Sequence, residues 1–243
     1  MEKQTAIIIP ARYGSSRLEG KPLLKACDKP IIQWVWEKAK ACPLVDRVII
    51  ATDDDRIYNA CKLFGAEVEM TSTEHKSGSD RIAEVTKRHP ELGYIINLQG
   101  DEPLIEQANI ELVIKGVKFD DRADISTLVR EIKDIDEVEN PNLVKCVFDI
   151  NDYALYFSRS KIPFERNQGK TKFYGHLGIY GFKRDALFKM TELPQAPYEM
   201  AESLEQLRAL QNGMKIKVAV VENVPVGIDT LEDFEKFKSM VEG

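Results

Sequence analysis

Four short apolar runs, TAIIIP at 5–10, RVIIAT at 47–52, AEVEM at 66–70 and YIINLQ at 94–99, alternate with stretches of helical periodicity. Ile31, Ile32, Val35, Trp36 and Ala39 form one helical stripe; Ile57, Ala60, Cys61 and Phe64 form another, with Gly65 placed as its stop. This alternation, continuing to about residue 118, predicts right-handed βαβ units and an α/β fold with a mostly parallel, doubly wound sheet.

The pattern then changes. ISTLVREI at 125–132, LVKCVFDI at 143–150, YALYFS at 153–158 and HLGIYGF at 176–182 follow with few helical stretches between them. The stretch 125–182 is therefore expected as a mixed or antiparallel insertion, with DINDYAL at 149–155 as a tight turn between two strands. A helix over 199–212 carrying Met200, Leu204 and Leu207, a strand at 215–222 and a helix over 230–241 complete the reading. With no repeat, low-complexity segment or linker, one domain across 1–243 is expected.

The chain has 243 residues, 43% hydrophobic and 30% charged, which suits a soluble protein with a sizeable core. Forty acidic against 34 basic residues give a net charge of −6, so no global field recruits nucleic acid or an anionic membrane. Cys27, Cys42, Cys61 and Cys146 form no C-x-x-C pair and read as reduced thiols. The first apolar run ends at Pro10, too short for a signal peptide, and no run reaches membrane-spanning length. The cytoplasm is the expected compartment.

An anionic substrate must then be met by local charge, and the loop after the first strand supplies it. Arg12, Arg17 and Lys21 stand there beside Gly14, Ser15, Ser16 and Gly20. The loop is neither G-x-G-x-x-G nor a P-loop, since five residues separate Gly14 from Gly20 and Pro22 follows the lysine. The physics of those motifs still applies: small residues let backbone N–H groups approach phosphate oxygens, and cations offset their charge.

NLQGDEP places Gln99, Gly100 and Asp101 past a strand, and GIDT places Asp229 before the last helix. Such residues serve equally as a turn and a helix start, or as two carboxylates suited to Mg²⁺ beside phosphate. Asp53 in ATDDD has the same two readings. In SGSDR, Ser77 and Asp80 read as capping residues, leaving Ser79 to line a nucleotide pocket. Arg159 and His176 stand at strand ends, where a cation and a hydrogen bonder can meet an anionic ligand, though composition does not select His176 over His75 or His89. Glu205 and Gln206 lie off the apolar stripe of their helix.

PARYGSSRLEGKPL resembles the signature of the 3-deoxy-manno-octulosonate (Kdo) cytidylyltransferases. The likeness continues through ATDDDRI, SGSDRIAEV, LQGDEPLI, YALYFSRSKIP, HLGIYGF, LEQLRAL and GIDTLEDF, in one order along nearly the whole chain. The resemblance implies a Rossmann-like nucleotidyltransferase fold and a Mg²⁺-dependent homodimer that transfers CMP from CTP to Kdo for lipopolysaccharide biosynthesis. It implies CTP binding by Ala11, Arg12, Arg17, Lys21 and Ser79, and a metal on Asp101 and Asp229. Catalysis falls to Arg12, Lys21, Asp101 and Asp229, and the sugar to Gln99, Arg159, His176, Tyr180, Glu205 and Gln206, with 125–182 serving sugar binding and dimerisation. Glu19 departs from the family, which commonly has Pro there, but leaves Gly20 and Lys21 intact. An amino-substituted Kdo or a sialic acid is the alternative substrate, although sialic-acid relatives usually carry a different first loop. A non-catalytic nucleotide sensor is the alternative from another class, against which Lys21, Asp101 and Asp229 speak.

Overall fold

The first apolar run becomes strand β1, Gln4–Ala11, in which Ala6, Ile7, Ile8 and Ile9 are fully buried. An unbroken apolar strand of this kind needs cover on both faces, which a parallel sheet flanked by helices provides. Each buried isoleucine contributes about 2 kcal/mol relative to leaving it in water. The computed structural model describes residues 3–14, 18–167, 169–222 and 227–242. The chain forms two compact units, Met1–Glu111 with Pro225–Gly243, and Leu112–Val224.

In the first unit β1 is followed by a 3₁₀ turn, Lys21–Leu23, and a minimal hairpin of β2, Lys25–Ala26, and β3, Lys29–Pro30. Then come α1, Ile31–Lys40, β4, Arg47–Thr52, α2, Asp55–Leu63, β5, Glu67–Met70, α3, Gly78–Arg88, and β6, Leu92–Asn97. These strands pair in parallel in the order β6-β1-β4-β5. Strand order therefore reverses between β1 and β6, the position where open α/β sheets leave a crevice at the strands' carboxyl ends.

Local signals set the element ends. Gly65 takes φ +79° and donates to the Lys62 carbonyl, while Ala66 donates to Cys61, both at 3.1 Å, closing α2 in a Schellman motif. Asp54 caps its start. Ser77 and Asp80 form the expected reciprocal capping box on α3.

Helix α4, Gln107–Lys118, carries the chain onward to β7, Ile125–Ile132, α5, Ile135–Glu139, β8, Lys145–Phe148, β9, Ala154–Ser158, and β10, Phe173–Lys183. Helices α6, Arg184–Glu192, α7, Pro197–Glu202, and α8, Gln206–Gln211, precede β11, Ile216–Val221. Within the second unit β7 is parallel to β11 and antiparallel to β10, and β8 pairs antiparallel with β10 and β9. The mixed pairing expected for 125–182 is what this unit contains. The turn at 149–155 is built on Asp149, whose carboxylate accepts the Asn151 and Tyr153 amides, with Asp152 at φ +59°. The last helix, α9, Leu231–Glu242, belongs to the first unit.

Two expectations need correction. The helix expected over 199–212 is two helices, because Ser203 turns left-handed at φ +52°, and Met200 of its supposed apolar stripe is exposed. Strand β6 starts earlier than expected and stops at Asn97, which leaves Gln99 in the loop beyond it. Among the described residues no helix is long and apolar enough to cross a membrane.

Candidate functional site

A cleft of about 360 Å³ opens in the first unit at the β1–β6 reversal. Pro10, Ala11 and Arg12 at the end of β1 line one side, and Gln99, Gly100 and Asp101 beyond β6 line another. Lys21 and Gly78, the first residue of α3, complete it. The close approach at the floor depends on glycine: a Cβ on Gly100 would sit 3.1 Å from the Pro10 carbonyl oxygen and 3.3 Å from Ile32.

Lys21 reaches this cleft because of the turn before it. Gly20 takes φ +68°, donates to the Tyr13 carbonyl at 2.9 Å, and packs where a Cβ would press on the Tyr13 ring at 3.1 Å. The Lys21 ammonium then lies 2.6 Å from Asp101 Oδ2 and 3.5 Å from Asp229 Oδ1, and donates to the Ile228 carbonyl at 2.8 Å. The Asp101 carbonyl accepts the Ile228 amide at 2.9 Å, tying the two aspartate loops together. Two carboxylates thus converge on one small cation, and one ammonium offsets only one of the two negative charges. Hard oxygen donors at one point suit Mg²⁺, so the residues fit the ion that the family resemblance implies. Next to them the Glu102 carboxyl is pushed up to about 7 by burial and by the charge of Asp101.

The other nucleotide candidates divide. Arg12 lines the cleft and donates through its guanidinium to the His75 carbonyl. Ala11 is buried at the strand end. Ser79 is buried one residue past Gly78, and it is Gly78 that faces the cleft. Arg17 lies outside the described residues. Asp53, whose part was open from sequence, is held at 2.6 Å by the completely buried Arg81, and Glu19 is exposed.

Gln99 belongs to the first unit, whereas Arg159, His176, Tyr180, Glu205 and Gln206 belong to the second. His176 and Tyr180 lie four residues apart on β10 with ring centroids 5.2 Å apart, and Phe157 of β9 meets the imidazole edge-on at 5.1 Å. The register of β10 against β7 shifts between Leu177 and Tyr180. The Thr127 hydroxyl fills the irregularity, 2.8 Å from the Ile179 carbonyl and 2.9 Å from His176 Nε2. A hydroxyl has one hydrogen, so with Thr127 donating to Ile179 the imidazole Nε2–H donates to Thr127. Burial pushes the His176 imidazole down to about 3. It raises the Tyr180 hydroxyl well above its ordinary value, helped by the charge of Glu205.

His176 therefore works as a neutral hydrogen bonder. Its folded-state value lies below the ordinary 6.5, so its contribution to stability is present above pH 6.5 and is lost as pH falls toward about 3. The melting temperature of His176→Phe should depend less steeply on pH across that window than that of the parent. Parallel curves from thermal melts at several pH values would refute the assignment.

Three of the five guanidinium N–H groups of Arg159 are held by backbone carbonyls. Its guanidinium donates to the carbonyls of Glu202 at 2.7 Å, Pro141 at 3.1 Å and Ser203 at 3.4 Å. Gln206 is buried at the start of α8, and Glu205 precedes it as the N-cap. Sequence reading missed the ion pair beneath them, in which Arg208 grips Glu199 in two bonds of 2.8 and 2.5 Å. In one continuous helix these residues would stand about 13 Å apart along the axis, nine residues at 1.5 Å each. The bond exists because the chain turns at Ser203.

A family model described as cytidylyltransferase matches residues 6–216. The 3-deoxy-manno-octulosonate cytidylyltransferase of Fusobacterium nucleatum is 48% identical, over 94% of this chain and 93% of that protein. That of Thermodesulfovibrio yellowstonii is 49% identical, over 95% of each chain. Among solved structures, a CMP:2-keto-3-deoxy-manno-octonic acid synthetase complexed with CTP superposes with a TM-score of 0.95, at 42% identity and 99% coverage of both chains. With the cleft at the strand-order reversal and matches spanning nearly its whole length, the chain belongs to the 3-deoxy-manno-octulosonate cytidylyltransferases.

Proposed function

We propose that the chain transfers CMP from CTP to Kdo, giving CMP-Kdo and pyrophosphate for lipopolysaccharide biosynthesis, as a Mg²⁺-dependent homodimer in the cytoplasm. The observation that carries the reading is the convergence of Lys21, Asp101 and Asp229 at the cleft between β1 and β6. The anomeric hydroxyl of Kdo attacks the α-phosphorus in line and pyrophosphate leaves from the opposite side. No covalent intermediate is needed, so the protein's work is positioning and charge stabilisation.

Arg12, Arg17 and Lys21 offset triphosphate charge, and the backbone at Ala11 and Gly78 borders the nucleotide. Asp101 and Asp229 hold Mg²⁺, which when bound supplies charge neutralisation at the transferred phosphoryl group. When the substrates arrive, Lys21 exchanges carboxylate oxygens for phosphate oxygens. Arg159 binds the sugar carboxylate, while His176, Tyr180, Gln99, Glu205 and Gln206 hydrogen-bond its hydroxyls.

The deciding experiment is turnover with each nucleoside triphosphate against Kdo, 8-amino-Kdo and sialic acid, with products identified by mass spectrometry. CTP with Kdo should give the highest kcat/KM, and ATP and GTP should be poor because a pocket shaped for a pyrimidine excludes a purine. Equal kcat/KM for ATP and CTP would sink the base assignment, and preference for another sugar acid would replace Kdo. Activity should disappear with EDTA and return with Mg²⁺.

A further inference from the structure

Lys145 in β8 is completely buried. All three hydrogens of its ammonium are taken by main-chain carbonyls: Asn140 at 2.9 Å, Leu143 at 2.7 Å and Arg159 at 2.5 Å. Burial pulls its pKa down and the nearby charge of Arg159 adds to this, against the opposing charges of Glu139 and Glu202. An apolar side chain of similar length would fill the same space without desolvating a charge. The ammonium is better explained by what it ties together.

Its three acceptors come from two segments that meet at Arg159. Residues 140 and 143 are the ends of a short loop, and one of the two carbonyls between them, that of Pro141, accepts from the Arg159 guanidinium. Lys145 therefore holds both ends of the loop on which that guanidinium rests, and holds the Arg159 carbonyl as well. From the other side Glu202 accepts the Arg159 amide at 2.9 Å and the Ser158 hydroxyl at 2.6 Å. Lys145 also stands opposite Ser158 in β9 and Gly175 in β10, the immediate neighbours of Arg159 and His176.

We infer that Lys145 is a positioning residue for the sugar acid, holding Arg159 in the pose that meets the substrate carboxylate. The inference rests on the reading of Arg159 as the ligand of that carboxylate. It adds a cation that touches neither substrate but governs how firmly one of them is held.

The test is a double-mutant cycle in the full chain, read as KM for Kdo, with CTP affinity measured by calorimetry as the check on folding. Lys145→Met should raise KM for Kdo by about tenfold to a hundredfold, the scale of a misplaced binding group, and leave CTP affinity unchanged. In the Arg159→Ala background the same change should add nothing further, because Lys145 acts through the side chain already removed. An unchanged KM for Kdo in folded Lys145→Met, or a full further rise in the Arg159→Ala background, overturns the inference. A normal KM for Kdo in Arg159→Ala alone overturns the reading of Arg159, and the inference with it. If Lys145→Met does not fold, Lys145→Gln, which keeps side-chain donors, is carried through the same cycle against the same outcomes.

Discussion

Lys21→Ala should lower kcat/KM for CTP by roughly two to three orders of magnitude, the scale of one lost charge-stabilising contact in a preorganised site. The side chain is 13% exposed and reaches Asp101, Asp229 and the Ile228 carbonyl at once, so it is not a solvated loop charge. Removing it leaves two carboxylates facing one another, but Asp101 and Asp229 are 29% and 48% exposed, and water screens their repulsion. The loss of stability should therefore stay at or below about 1 kcal/mol. A large kinetic effect with a small shift in melting temperature is the signature. Lys21→Arg is the sharper control, since Gly20 and Pro22 bracket a site fitted to a compact ammonium, and a planar fork does not reproduce that point charge. Steady-state kinetics near normal for Lys21→Ala would defeat the assignment.

Asp101→Asn should lower kcat by about a hundredfold or more while the fold survives. The substitution keeps the shape of the side chain, and the backbone at this position is fixed independently through the bond from the Ile228 amide to the Asp101 carbonyl. What changes is charge: Asp229 alone remains to bind a cation, and Lys21 loses its 2.6 Å carboxylate partner. The change should also let the neighbouring Glu102 carboxyl fall from about 7, because one of the two causes that raise it is gone. Kinetics and circular dichroism decide the matter together. Normal activity excludes a metal role for Asp101, and an unfolded variant makes Asp101 a structural residue instead.

Much of the architecture was legible in the sequence because its signals act over short range. A parallel strand buried on both faces shows as an apolar run, so 47–52 could be read to the residue, and β7, parallel to β11 and antiparallel to β10, was legible at 125–132 from its β-branched residues. The caps at Ser77 and Asp80, the stop at Gly65 and the turn on Asp149 involve partners within a few positions, where residue type alone selects backbone conformation. Tertiary structure decided the rest, since it joins residues that no local rule connects. Lys21 meets Asp229 across 208 positions, Lys145 is surrounded by carbonyls whose positions depend on how β8, β9 and the loop at 140–143 pack, and Arg81 is buried against Asp53. The break at Ser203 has the same origin: helical periodicity alone favours continuing, and the Arg208–Glu199 pair forms only because the chain turns back there. Short-range preferences amount to tenths of a kcal/mol per residue, whereas burying one leucine such as Leu204 or Leu207 contributes about 2 kcal/mol, so packing settles such positions.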